Sequence, residues 1–190
     1  ISYMGELGWE LYIPTDFAQS VYDEILKEGE EFKLRHAGIH TLFSLRIEKA
    51  YRSFGHDIGP DDTPLEAGLG FAVDFQKSGG FIGREALLRQ KEAGVLKRRL
   101  VQFLLLDPEP LMYHNEPIYR DGQLVGYTRS AAYGHTLGGC VALGYVHNSE
   151  GVDRSFIEEG SFEIEVAGAR YPASASLRAM YDPQNVRVRS

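Results

Sequence analysis

The 190 residues, 43% of them apolar, suffice to bury a core and permit one large domain or two small ones. A formal charge of −7, with no Lys/Arg run longer than Lys97-Arg98-Arg99, argues against a nucleic-acid surface, and a single cysteine, Cys140, excludes an internal disulfide framework and fits a reducing compartment. The longest apolar run, Val101 to Leu106 with Gln102 inside it, falls far short of the ~20 residues that span a bilayer. A soluble protein without a membrane partner is therefore expected, and a chain that enters a motif directly at Ile1, with no signal peptide ahead of it, reads as a piece of something longer.

Leu7, Trp9, Leu11 and Ile13 alternate with Glu10 and Tyr12, the period-2 pattern of a strand with one buried face, so that Glu6, Glu10 and Tyr12 share the other. Thr15 or Asp16 can cap a helix carrying Phe17, Val21, Tyr22, Ile25 and Leu26 at helical spacing and closed by Gly29. A second helix is expected from about Ala37 to Ala50, with Leu42, Leu45 and Ala50 inward and His36, His40, Arg46 and Glu48 outward. Residues 51–66, rich in turn formers and acids, read as irregular, and a loop of that length is usually functional or firmly tied down. Gly68 to Phe75 reads as a strand, and Arg84 to about Ala93 as a short helix ended by Gly94. Beyond Lys97 the helical period disappears. Strands are expected at 99–106, 117–119, 123–130, 139–146, 161–166 and 170–177, with turns at Asp121-Gly122 and Ala167-Gly168. The fold class is thus α+β, a mixed α/β segment (1–95) followed by a small six-stranded antiparallel β-barrel (96–190).

Most candidate motifs have bland readings. His36 and His40 stand four apart, but Ala37-Gly38-Ile39 between them lacks the glutamate of a zinc helix, and no metal is expected. Gly68-Leu69-Gly70 opens like a dinucleotide fingerprint without its third glycine or helix, and reads as strand packing. Asp57, Asp61, Asp62 and Glu66 do not follow calcium-loop spacing and read as a solvated acidic loop. Ser44, Ser53 and Ser130 lack the setting of a nucleophile elbow, and Cys140 lies in an apolar strand. Glu10 differs. Beside Trp9 and Tyr12, its two oxygens suit adjacent N–H donors of a flat heterocycle, although an exposed strand glutamate is the commoner outcome for such a position.

Tyr3-Met4-Gly5-Glu6-Leu7-Gly8-Trp9-Glu10-Leu11 resembles the Tyr-x-Gly-Glu-x-Gly-aromatic-Glu signature of the glycine cleavage T-protein (aminomethyltransferase) family. Ser44 to Arg52, Gly55 to Ile58, Thr63 to Leu69 and Phe81 to Leu87 follow in the family's order, and Tyr127 to Ser130 and Val141 to Val146 resemble its C-terminal barrel. Within the family, Gly-Glu-Leu-Gly-Trp-Glu and Leu-Arg-Ile-Glu-Lys-Ala-Tyr-Arg look most like the folate-binding C-terminal regions of dimethylglycine and sarcosine dehydrogenases. Where the aminomethyltransferase pattern reads Ala-Arg-Asp, this chain has Thr41-Leu42-Phe43, so an arginine that helps hold folate in that branch is absent.

The resemblance implies tetrahydrofolate as a cofactor, with Glu10 on the pterin amino and ring N–H groups, Tyr3 and Tyr12 lining the same pocket, and Glu6 in a supporting position. Phe71, where the dehydrogenase branch carries a tyrosine, would be an apolar wall. It further implies FAD in an N-terminal flavin domain of the same full-length chain, a catalytic acid or base upstream of Ile1, and a fragment inactive alone. The function so implied is the folate-binding portion of a flavin-dependent N-methyl amine dehydrogenase, passing a one-carbon unit to tetrahydrofolate. An aminomethyltransferase or a non-catalytic folate-binding regulatory module are the alternatives. The compartment would be cytoplasmic in a bacterium and the mitochondrial matrix in a eukaryote.

Overall fold

A computed structural model describes residues 2–189. Three helices come first: α1 (Thr15–Gly29), α2 (Ile39–Glu48) and α3 (Arg84–Glu92). The strands follow as β1 (Arg98–Leu105), β2 (Pro117–Arg120), β3 (Gln123–Gly134) and β4 (Gly139–His147), then a short α4 (Arg154–Glu158), β5 (Phe162–Val166) and β6 (Ala169–Ser176). All strand pairs are antiparallel, and the order β1-β4-β3-β2-β5-β6 closes into a barrel because β1 pairs with both β4 and β6. Closure leaves no open sheet edge for another chain to extend.

The barrel interior is filled by Phe103, Ile118, Ala142, Val146, Phe162 and Ile164, with the rings of Phe103 and Phe162 5.6 Å apart. Alternate residues of β4 point the other way: Val141, Leu143 and Tyr145 join Ile47 and Ala50 at the end of α2 in a second cluster outside the barrel. β4 is therefore buried on both faces, which is why its sequence is a nearly unbroken apolar run rather than an alternation. A bulge between Thr128 and Ser130 leaves Arg129 unpaired within β3.

The first ninety residues depart from the sequence reading in five places. No strand forms over 7–13, and among the described residues no strand lies beside that stretch to accept its ladder; Leu7 and Leu11 are each 61% exposed and Trp9 86%. The α1 helix has the expected ends, but Pro14 rather than Thr15 or Asp16 occupies its N-cap, and none of its residues is buried. Gly68–Phe75 is not a strand: Gly68 takes φ +68° with the Arg52 guanidinium behind it, and Gly70–Ala72 forms a single 3₁₀ turn. Arg46 and Glu48, expected on the solvent side of α2, are buried with Ile47, whereas Leu42 and Leu45 are only half-buried. The acidic loop is not uniformly solvated, since Asp57 is fully buried and the Asp62 side chain nearly so.

Candidate functional site

The Tyr3–Tyr12 stretch is held at one end and free at the other. The Tyr3 ring stacks on Tyr51 with centroids 6.2 Å apart, and its hydroxyl donates to the Arg52 carbonyl at 3.1 Å. Gly5 has φ +79° and lies so close to Lys49 that a Cβ would sit 2.1 Å from Lys49 Cγ, so only glycine lets the chain cross there. Tyr181 donates its hydroxyl to Glu6 Oε1 at 2.6 Å, and Lys49 Nζ donates to the carbonyl of Asp182 at 2.5 Å and to its carboxylate at 3.1 Å. The Glu6 bond raises the Tyr181 phenol above its ordinary value. Burial opposes ionisation of Asp182, but amide donors from Val186 and Arg187 and the Lys49 ammonium outweigh it and hold the carboxyl below its usual range. The C-terminal segment thus clamps the first half of the motif onto the end of α2.

Past Gly8 the stretch is exposed. Tyr12 donates its hydroxyl to Glu10 Oε2 at 2.9 Å, and this bond raises the Tyr12 phenol's pKa. Trp9 stands beside them on the surface. Phe71, at the 3₁₀ turn, is 86% exposed, and no hydrogen bond or ring contact joins it to the other four among the described residues. The structure therefore pairs Glu10 with Tyr12, ties Tyr3 and Glu6 to α2 and the C-terminus, and leaves Phe71 apart. Sequence reasoning passed over Lys49, Tyr181 and Asp182, because their partners lie more than a hundred residues away in the chain.

The polar residues of α2 join the helix to the barrel. Ser44 Oγ donates to the Tyr133 carbonyl at 2.6 Å. One oxygen of Glu48, which is 1% exposed, accepts the amides of Thr136 and Leu137, each at 2.8 Å. Gln102 on β1 donates to the carbonyls of Ile47 (2.7 Å) and Glu48 (3.1 Å) and accepts from the Met180 amide (2.8 Å). Arg46 donates to the Tyr51 carbonyl at 3.0 Å and to the buried Asp57 carboxylate, which also accepts from the Ser53 amide and from Ser130 Oγ next to the β3 bulge. Every buried charge here has an opposite charge or several donors, as burial requires.

Two cavities flank this interface. One, of about 500 Å³, lies between the first half of α2, residues 111–114 and β3; its lining includes His40, Phe43, Arg46, His114, Arg129 and Tyr133. The other, of about 610 Å³, is bordered by Arg98, Arg129, Tyr145 and His147. In the second, the Arg98 guanidinium lies 3.7 Å over the Tyr145 ring and binds Asp62 at 2.5 Å. Burial, followed by the Asp62 charge, pushes the Tyr145 phenol up to about 12. Cys140 lines the first cavity, and burial raises its thiol, away from nucleophilic use. Neither cavity is lined by Tyr3, Glu6, Glu10, Tyr12 or Phe71. Among the described residues no three His, Cys, Asp or Glu side chains gather to hold a metal, and no helix is long and apolar enough to cross a membrane.

Residues 1–77 match the family model described as the GCVT N-terminal domain, and residues 98–182 match that of the glycine cleavage T-protein C-terminal barrel domain. Human mitochondrial sarcosine dehydrogenase is 42% identical over 191 residues, covering 100% of this chain and 21% of that protein. The mouse mitochondrial pyruvate dehydrogenase phosphatase regulatory subunit is 43% identical over 188 residues, covering 93% of this chain and 21% of its own length. The chain therefore spans about a fifth of the length of these relatives. Among solved structures, the glycine cleavage system aminomethyltransferase T from Bartonella henselae superposes with a TM-score of 0.80 at 25% identity, over 96% of this chain and 48% of that one.

Proposed function

Because the chain belongs to the glycine cleavage T-protein family, we propose that it is the folate-binding C-terminal portion of a flavin-dependent N-methyl amine dehydrogenase, passing a one-carbon unit to tetrahydrofolate. The observation that carries this reading is the exposed Glu10–Tyr12 pair. With Tyr12 on Oε2, the other Glu10 oxygen is free to accept from a ligand, and the exposed rings of Trp9 and Tyr12 stand beside it. That donor-and-ring set fits a pterin, whose amino and ring N–H groups need a carboxylate and whose faces need aromatic cover. Glu10 would hold the pterin edge. Tyr12 orients Glu10, and Tyr3 and Glu6 fix the backbone that presents it, while Phe71 would supply an apolar wall. Bound tetrahydrofolate supplies the nitrogen nucleophiles that take up the one-carbon unit. The flavin, and the acid or base of the transfer, belong on this reading to parts of the protein outside residues 1–190.

Titration of the full-length protein with tetrahydrofolate tests the assignment. Glu10→Gln removes a charge-assisted contact of about 1.5–3 kcal/mol, which weakens binding roughly tenfold to a hundredfold. Equal affinity for wild type and variant would sink the role of Glu10.

The regulatory-subunit relative supports a second reading, a non-catalytic folate-binding module. Turnover of sarcosine or dimethylglycine by the full-length protein, with reduction of a bound flavin, separates the two: the dehydrogenase shows it and the module does not.

A further inference from the structure

We propose that the cavity between α2 and the β3 bulge is a second small-molecule site, distinct from the Glu10 wall, and that it takes an aromatic ring bearing a phosphate, an aryl phosphate. At about 500 Å³ it lies within the range of small-ligand pockets. Its charge runs against that of the molecule. In a chain of net charge −7 its lining contains Arg46, Arg129 and four of the six histidines, and no aspartate or glutamate.

Several of these nitrogen groups are uncommitted. The imidazoles of His40, His56 and His114 make no hydrogen bond or ion pair among the described residues. Arg46, only 3% exposed, spends Nη1 on Tyr51 and Asp57, but its buried Nε has no hydrogen-bond partner among the described residues. Leaving such a donor unsatisfied is costly unless something else accepts from it. Arg129 is the extra residue of the β3 bulge, the kind of irregularity that re-aims a side chain toward a site. Among the described residues its one ion-pair partner, Asp62, is 3.9 Å away, and the Tyr145 ring lies 5.5 Å from its guanidinium, so neither contact holds it tightly. The bulge is held in place from behind, since its neighbour Ser130 donates to the Asp57 carboxylate that also binds Arg46. Guanidinium and imidazole groups lining one cavity from separate elements are the chemistry that recognises a phosphate. The rings of Phe43, Tyr113 and Tyr133 in the same lining give an aromatic group surfaces to stack on.

Phenyl phosphate, inorganic phosphate and benzyl alcohol, titrated into the full-length protein by calorimetry, test the site. Phenyl phosphate is expected to bind saturably, at least tenfold more tightly than either partial probe, because it alone combines the charge with the ring. The Arg129→Gln/His114→Gln variant should weaken it at least tenfold while leaving tetrahydrofolate affinity unchanged, and Glu10→Gln should do the opposite. Both substituted positions are reached by solvent, and an unaltered thermal transition confirms that the double variant is folded. Absence of saturable binding, or binding that the double variant leaves intact, overturns the proposal without touching the folate reading. Inorganic phosphate binding as tightly as phenyl phosphate overturns the aromatic half of it.

Discussion

Replacing Glu48, itself 1% exposed, with alanine strips the Thr136 and Leu137 amides of their shared acceptor. Two donors losing their acceptor at about 1–2 kcal/mol each, the lower part of the range for an unsatisfied group because Thr136 is exposed, should lower the urea midpoint by the equivalent of about 2–4 kcal/mol. Asp57→Ala acts differently, since it leaves the Arg46 guanidinium buried without its counter-charge; a loss of about 3–5 kcal/mol is expected on the same measurement. Tyr145 gives the contrasting case. Its phenol oxygen is buried with no hydrogen-bond partner among the described residues, so Tyr145→Phe should shift stability by less than about 1 kcal/mol at neutral pH. At alkaline pH the sign is fixed by the pKa. The folded-state value of about 12 lies above the ordinary phenol value of 10.0, so the folded protein holds a proton that the unfolded chain releases. The contribution of Tyr145 is complete below pH 10 and is lost as pH rises from there through 12. Denaturant midpoints measured across that window should fall more steeply for the wild type than for Tyr145→Phe.

At the level of elements, the barrel was the most legible part of the sequence. Each of its six strands lies within one residue of its expected ends, apart from β3, which continues through Gly134 beyond the bulge. Alternation and turn residues mark the individual strands, and β2–β3, β3–β4 and β5–β6 pair in sequence order, whereas the pairs β1–β4, β2–β5 and β1–β6 that close the barrel join strands distant in the chain. The α2 helix was legible as a helix, but its inward side was not, because hydrophobicity cannot register a glutamate and an arginine that are buried to satisfy backbone groups of the barrel and a loop aspartate. The 7–13 segment shows the reverse error. Its alternating pattern is real, but a pattern specifies a strand only when a partner strand completes the hydrogen bonds. Of the proposed ligand residues, Glu10, Tyr12 and Trp9 could be found by spacing and chemistry, whereas the clamp of Lys49, Tyr181 and Asp182 exists only in three dimensions. That clamp should fail locally. Gly5→Ala collides with Lys49 and should speed amide hydrogen exchange over residues 3–12, with the barrel amides and the main thermal transition little changed.

For the molecule as a whole, the helical part and the barrel are joined through shared buried groups as well as through the chain. We place the border between them at 95/96 as a proposal, with the exposed Ala93-Gly94 pair just ahead of it. Limited proteolysis is expected to nick there first, because Val95 to Lys97 dock against 148–152 of the barrel and the residues before them do not. The two pieces should nevertheless elute together in size-exclusion chromatography, since Ile47, Glu48, Gln102 and Leu143 form one continuous buried interface across the border. Separation after a single nick would show that the chain linkage, rather than that interface, holds the parts together. The exposed end of the Tyr3–Tyr12 stretch also makes the molecule its own reporter. Trp9 is the sole tryptophan of these 190 residues, 86% open to water and adjacent to Glu10. In the 190-residue chain emission therefore comes from one known place, and any heterocycle or polypeptide that covers Glu10 will quench it or shift it to the blue without a label being attached.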